Sequence, residues 1–258
     1  MRTSFVIDNV ELNIRGSTGS LIVGKPGSGK SVLTSLMALQ LMKVGALSFF
    51  IDNKKSDFYS LNTILGSSRV VSTPGQTAKI LRILTDFMDK SYETHQSHWG
   101  WDWVDYNLRP IVVIFDEFSA TLTEADKATA NEIIKYLKQI IFKARQMGGI
   151  YLILASQRLT ADVLERNISS EFSTRIGMQN LDRVSLNLAF PGCNLDEIPV
   201  IENIPGHGLM YDDHFDTMIP QPFVAPDMSN VDVPLVVKKL DERNKFNNFA
   251  KESYWPWK

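Results

Sequence analysis

The residues with the clearest chemistry lie near the start of the chain, where Gly24 to Ser31 read Gly-Lys-Pro-Gly-Ser-Gly-Lys-Ser. This run matches the phosphate-binding loop G-x-x-x-x-G-K-[ST], whose backbone N–H groups surround a polyphosphate. In such a loop Lys30 reaches the β- and γ-phosphates, and the hydroxyl of Ser31 ligates Mg²⁺. The residues expected to bind the nucleotide are Gly24, Lys25, Pro26, Gly27, Ser28, Gly29, Lys30, Ser31 and Val32.

Two carboxylates follow an apolar strand in the middle of the chain. Ile111 to Phe115 is uniformly apolar, and Asp116 and Glu117 come directly after it. In a protein with a phosphate loop this is the Walker B pattern. We expect Asp116 to hold Mg²⁺ and Glu117 to polarise a water molecule for attack on the γ-phosphate.

A polar side chain ends the next predicted strand, Tyr151 to Ala155. Gln157 lies where it could sense the γ-phosphate, beside the Walker B strand. A glutamate after the Walker B aspartate, together with this sensor, indicates a RecA-like ATPase of the additional-strand class. We therefore expect ATP and Mg²⁺ as cofactors and assign catalytic roles to Lys30, Glu117 and Gln157.

Strands and helices must alternate around these residues. The segment before the phosphate loop predicts a strand and the segment after it a helix, which is the context that the motif needs. Other predicted elements are a hairpin arm at 5–14, strands at 46–51, 69–72 and 173–178, helices at 77–92, 123–147, 161–166 and 181–190, a loop at 96–110 and a closing hairpin after 208. This alternation predicts an α/β fold, with a mostly parallel central sheet covered by helices on both faces.

Two regions are expected. Residues 1–223 form the RecA-like motor domain with an N-terminal β-hairpin arm, and residues 224–258 form a C-terminal tail that serves as a docking segment. Its aromatic residues suit contact with a partner.

Composition limits the class of protein. The chain has 258 residues, of which 44% are hydrophobic, and a net charge of −2. DNA contact would therefore need a local basic surface. A single cysteine, Cys193, suits a reducing compartment, and no run reaches the roughly 18 apolar residues of a membrane span. We expect a cytoplasmic protein, with membrane association through a further N-terminal anchor or a partner as the alternative.

Five stretches resemble, in order, the motor domain of the FtsK/SpoIIIE/HerA superfamily of DNA translocases. They are the phosphate loop at 24–33, an Asp-Pro-Lys-like segment at 50–57, Walker B at 113–118, an Ala-Thr-Gln-Arg-Pro-like motif within 149–164, and a Thr-Arg-Ile strand at 173–176. Asn53 and Leu159 stand where the family has proline, and the Trp-rich loop at 96–110 is unlike the chromosomal translocases. The chain is therefore more similar to the FtsK-type coupling proteins of Gram-positive conjugative elements.

This resemblance implies partners as well as a fold. Such motors form hexameric rings around DNA, with ATP between subunits, and deliver DNA with a relaxase to membrane channel proteins. The family's arginine finger corresponds to Arg175, which would act on a neighbouring subunit's γ-phosphate. A buried salt bridge to a strand-end carboxylate is the alternative for Arg175.

Other interpretations stay open. A viral genome-packaging or secretion ATPase would share every catalytic residue, and an ATP-bound adaptor that docks a relaxase would show little turnover.

Arg158, Arg166 and the loop at 96–110 are candidate DNA contacts. Lys54 and Lys55 are either a DNA contact or a solvated turn at a strand end.

Overall fold

The computed structural model describes residues 3–95, 98–157 and 166–254. Within these ranges the strands are β1 (Ser4–Ile7), β2 (Val10–Asn13), β3 (Gly19–Gly24), β4 (Leu47–Asp52), β5 (Val70–Val71), β6 (Ile111–Asp116), β7 (Ile150–Ser156), β8 (Thr174–Met178), β9 (His207–Asp212) and β10 (Gln221–Val224). The helices there are α1 (Lys30–Lys43), α2 (Asn62–Leu65), α3 (Pro74–Thr94), α4 (Phe118–Glu124), α5 (Lys127–Lys143), α6 (Arg166–Ser169), α7 (Arg183–Ala189) and α8 (Val233–Asn244).

One large sheet organises the protein, in the order β10-β9-β8-β3-β7-β6-β4-β5. The six strands from β8 to β5 run parallel to one another, whereas β9 pairs antiparallel with both β8 and β10 at one edge. The predicted α/β class and mostly parallel sheet are confirmed. Because loops after parallel strands emerge at one edge, the ends of β3, β4, β6 and β7 face the same crevice.

Both faces of the sheet are covered, as its strand sequences require. β6 and β7 are buried along their whole lengths, which fits their continuous apolar runs. One face packs against α3 and α5. The other face packs against α1, which is itself covered by the β1–β2 hairpin and α8. This burial on more than one side explains why α1 is apolar nearly all round.

The N-terminal strands form the expected hairpin, which lies against α1. The side chain of Gln40 accepts a hydrogen bond from the backbone N–H of Val6 at 2.9 Å and donates one to its carbonyl at 2.6 Å. The hairpin is thus attached to the helix that follows the phosphate loop.

The C-terminal residues fold back onto the same body, whereas the sequence suggested a separate tail after residue 223. β10 spans that boundary, and α8 packs against α1. The side chains of Arg243 and Asn244 donate to the carbonyls of Lys43 and Met42 at 2.6 and 2.8 Å, respectively. The backbone carbonyls at the end of α1 attract these donors because they have no partners within the helix.

The single helix predicted over 123–147 is instead two helices followed by a π-helical turn. Asp126 interrupts it, because its carboxylate accepts from the N–H groups of Ala128 and Thr129 and so starts α5. The π-helical turn Ala144–Gly148 then leads into β7.

The aromatic excursion before β6 packs partly on the domain. Trp103 is buried, and Trp101 stacks on His98 with a ring separation of 4.0 Å, while Trp99 is fully exposed. Arg15 joins the excursion to the N-terminal hairpin by an ion pair to Asp102 at 2.6 Å.

Among the described residues, no helix combines the length and apolar character needed to cross a membrane.

Candidate functional site

The phosphate loop connects β3 to α1 in the way the motif requires. Gly27 and Gly29 have φ values of +76° and +95°, which glycine adopts readily. Gly29 begins α1 without a side-chain cap, so the first N–H groups of the helix remain available for an anion. Gly206 contacts the loop directly, since its N–H donates a hydrogen bond to the carbonyl of Ser28 at 3.0 Å.

Lys30 points back into its own loop. Its ammonium group donates to the carbonyls of Gly24 and Lys25, the second at 3.1 Å. Burial lowers the pKa of Lys30, and the negative charges of Glu117 and Asp116 oppose that shift. A bound polyphosphate would offer this ammonium a more negative partner than the two carbonyls.

Asp116 ends β6 beside another buried carboxylate, Asp52 at the end of β4. Burial, followed by the charges of Asp52 and Glu117, raises the pKa of Asp116 to about 6. The carboxylates therefore repel one another, and a cation bound between them would reduce that repulsion. Asp116 and the hydroxyl of Ser31 are hard oxygen donors on the wall of one cavity, so they fit Mg²⁺ held jointly with phosphate oxygens.

Glu117 is fixed in a defined orientation. Its backbone has φ +54°, which is uncommon outside glycine, asparagine and aspartate. One carboxylate oxygen accepts from Ser119 at 2.9 Å and from the N–H of Gln157 at 3.0 Å, and the other lies 3.4 Å from the ammonium of Lys54. A carboxylate held in this way can orient a water molecule.

These groups surround one cavity of about 480 Å³. Its lining brings together Lys30, Ser31, Asp116, Glu117 and Gln157, which are residues that the sequence analysis assigned to a nucleotide site. Each comes from the carboxyl end of β3, β6 or β7 or from the start of α1.

A second groove, of about 710 Å³, adjoins this cavity, and Glu117 and Gln157 are not among the residues that line it. Both are lined by Gly29, Ser31, Val32, Asp57 and Pro205, and the side chain of Val32 is 44% exposed there. The far wall of the groove is formed by residues 225–229 and 231–234. Sequence reasoning missed this wall because it treated those residues as a tail.

The sequence also missed Lys54 and Asp52 as members of the site. Asp52 follows an apolar strand, as Asp116 does, and this shared pattern was the available signal. Its carboxylate accepts from the Ser56 hydroxyl at 3.2 Å and from the Tyr59 N–H at 3.0 Å, which fixes the turn that carries Lys54.

Arg175 is not presented as an exposed finger. It is 4% exposed within β8, where it donates to Asp213 at 2.9 Å and to the Pro191 carbonyl at 3.1 Å. Its guanidinium lies 4.4 Å from the centroid of the Tyr211 ring, on the adjacent strand. The structure thus places Arg175, itself buried, in an ion pair with the half-exposed Asp213 directly after the end of β9, which is closer to the alternative than to a finger.

Some predicted residues lie outside the described parts of the chain. They are Arg158 and the rest of the motif through residue 164. The side chain of Arg166 also lies outside them.

Comparison with known proteins supports the geometric assignment. Residues 20–180 match the ATPase family associated with various cellular activities. The chain is 27% identical over 174 residues to the FtsK domain-containing protein YdcQ of Bacillus subtilis, covering 66% of this chain and 36% of that protein. It is 30% identical over 184 residues to the DNA translocase FtsK of Caldanaerobacter subterraneus, covering 65% of this chain and 25% of that protein. The chain therefore spans about a third or less of these relatives.

Solved structures show the same fold. The monomer form of the pCW3 conjugation coupling protein TcpA with ATPγS superposes with a TM-score of 0.78 and 21% identity, over 93% of this chain and 71% of that one. The cytoplasmic domain of the type VII secretion ATPase EccC of Thermomonospora curvata gives 0.65 and 21% identity, over 93% and 31%.

Proposed function

Because the chain belongs to the ATPase family associated with various cellular activities, we propose that its ATP hydrolysis drives the movement of DNA during conjugation. The observation that carries the ATPase part is the single cavity shared by Lys30, Asp116, Glu117 and Gln157. The DNA part is supported by the 30% identity to a DNA translocase.

The cavity gives each residue a role in hydrolysis. The N–H groups of the loop and the ammonium of Lys30 bind the β- and γ-phosphates, and Ser31 and Asp116 hold Mg²⁺, which neutralises phosphate charge when bound. Glu117 orients a water molecule and accepts its proton as oxygen adds to the γ-phosphorus. The bond from that phosphorus to the bridging oxygen breaks, and its electron pair stays on ADP. Gln157 senses the γ-phosphate from the neighbouring strand end.

The two ends of the site fix the direction of the bound nucleotide. Glu117 and Gln157 mark the end that holds the γ-phosphate. The nucleoside therefore extends past Val32 into the second groove, where apolar side chains of Val32 and the 225–234 wall contact the base. In this proposal the C-terminal segment is part of the ATP site.

Assembly is the next part of the proposal. We propose that copies of the chain form a ring, which the resemblance suggests is hexameric, with DNA as cargo and a relaxase and membrane channel proteins as further partners. A cavity of about 730 Å³ beside Glu117, which Lys54 and Gln157 also line, leaves room for a cationic side chain of a neighbouring copy. Arg175 as placed here is occupied internally.

The test is ATP turnover measured with and without double- and single-stranded DNA over a range of salt concentrations. The parent is expected to be stimulated by DNA, less so as salt rises, because phosphate contacts release counterions. Lys30→Ala should abolish turnover, whereas Lys43→Ala, at the exposed far end of the same helix, should match the parent.

Turnover that ignores DNA at every salt concentration would contradict DNA movement and favour a secretion ATPase. Turnover that survives Lys30→Ala would contradict the site itself.

A further inference from the structure

Two neighbouring lysines after β4 differ sharply in their surroundings, although the sequence gives them equal status. Lys54 lines the polyphosphate cavity and the adjoining cavity beside Glu117. The ammonium of Lys55 instead lies 5.6 Å from the centroid of the Tyr59 ring. The left-handed backbone of Lys55, with φ +53°, separates the directions of the two side chains.

The turn that carries Lys54 is held firmly. Asp52 is fully buried and accepts from Ser56 and from the N–H of Tyr59, while the N–H of Lys55 donates to the carbonyl of Asp52 at 3.1 Å. A side chain on so constrained a turn has a fixed origin at the mouth of the cavity. From this origin its ammonium reaches Glu117.

Lys54 and Lys30 approach the same space from opposite sides. Lys30 comes from the phosphate loop and Lys54 from the end of β4, and the charge of Lys54 acts on both Lys30 and Asp116. Two ammonium groups that face each other repel, so their convergence is favourable only with anionic charge between them. A triphosphate supplies that charge.

Lys54 is also able to move. Its side chain is 41% exposed, and its ion pair with Glu117 is long, at 3.4 Å. The Glu117 carboxylate is only 7% exposed, but it keeps its hydrogen bonds from Ser119 and from the Gln157 N–H when Lys54 moves away. The γ-phosphate carries more negative charge than a carboxylate and accepts charge-assisted hydrogen bonds, so it is the stronger partner.

We propose that Lys54 is a catalytic cation of this ATPase, which pairs with Glu117 when no nucleotide is bound and transfers to the γ-phosphate when Mg-ATP binds. The inference rests on the proposed ATPase function. On the γ-phosphate, Lys54 stabilises the charge that develops on the phosphoryl oxygens in the transition state. Its departure leaves the Glu117 carboxylate free to receive the proton of the attacking water. The positive charge on the γ-phosphate then comes from the chain that binds the ATP, rather than from an arginine of a neighbouring protein or subunit.

The test separates chemistry from binding in Lys54→Met. Single-turnover cleavage of Mg-ATP is expected to slow by about 10²-fold, the range for removal of one group that stabilises transition-state charge. The Kd of a fluorescent ATP analogue should change far less, because Lys30 and the loop still hold the phosphates. Lys54→Arg should restore most of the rate, and Lys55→Met should match the parent.

Three results would overturn the inference. Lys54→Met could cleave at the parent rate, Lys54→Arg could fail to rescue, or the loss could lie wholly in Kd. Glu117→Gln, measured in the same assay, distinguishes failure of the role of Lys54 from failure of the proposed ATPase function. If Glu117→Gln is inactive and Lys54→Met is not, only the role of Lys54 fails. If neither variant loses activity, or the parent has none, the proposed function fails as well.

Discussion

Asp116 shows how a single residue combines function with a cost in stability. Its carboxylate is buried beside Asp52 and Glu117, and the pKa of Asp116 is raised to about 6. At neutral pH the folded protein therefore holds a charged group in an unfavourable place. Mg²⁺ at this position would relieve the repulsion, so the arrangement favours the nucleotide-bound state.

Asp116→Asn is predicted to make the protein without nucleotide more stable at pH 7.5, by about 3 kcal/mol. Because the folded pKa lies above the unfolded value, the parent loses stability as pH rises from about 4 to about 6. Asparagine has no such titration. Urea unfolding of both proteins should thus show a difference that is small at pH 4 and grows to its full size near pH 7.

Asp86→Asn, on the exposed face of α3, is the control and should change stability little at either pH. A destabilised Asp116→Asn protein at pH 7.5 would contradict this account of the site.

At the scale of elements, α1 links the phosphate loop to the C-terminal segment. Its first residues bind the anion, and its last carbonyls are bonded by the side chains of Arg243 and Asn244. The side chain of Asn244 is fully buried, which makes its hydrogen bond to Met42 costly to lose.

Asn244→Ala is expected to lower the free energy of unfolding by about 2 kcal/mol, since it removes the buried hydrogen bond to the Met42 carbonyl and the acceptor of the Asn247 side-chain amide. Chemical denaturation measures this, with Asn248→Ala as the matched control because Asn248 is exposed in the same segment. Equal stability of the two variants would mean that α8 does not hold the end of α1.

Sequence reasoning was sufficient where a local pattern carries its own geometry. The phosphate loop and the Asp116–Glu117 pair each follow an apolar strand, and parallel strands bring such ends together. Sequence reasoning was insufficient where the role of a side chain depends on contacts that the local pattern does not reveal. Asp126 had to be recognised as a cap within a continuous helical pattern, and the orientation of Lys54 depends on a turn held by Asp52.

Arg175 illustrates a further limit. Its position in a Thr-Arg-Ile strand suited a finger, but Asp213 and Tyr211 come from distant parts of the chain and meet it only in the folded sheet. Long-range contacts of this kind have no local signal.

At the scale of the whole molecule, a nucleotide would contact three parts of the chain at once. The phosphate loop, the ends of β4, β6 and β7, and the wall at 225–234 all line continuous cavities. ATP binding would therefore connect the centre of the sheet to its antiparallel edge and to the C-terminal segment. A change at the γ-phosphate could be transmitted through this body to DNA or to a neighbouring copy.

The central claim, that this one cavity hydrolyses ATP with Glu117 as the base, is tested most directly by single-turnover cleavage of Mg-ATP in Glu117→Gln. We predict that cleavage slows by at least 10²-fold, the usual contribution of a general base, while the variant still binds Mg-ATP. Glu132→Gln, on the exposed face of α5, should cleave like the parent. Cleavage by Glu117→Gln at the parent rate would contradict the account.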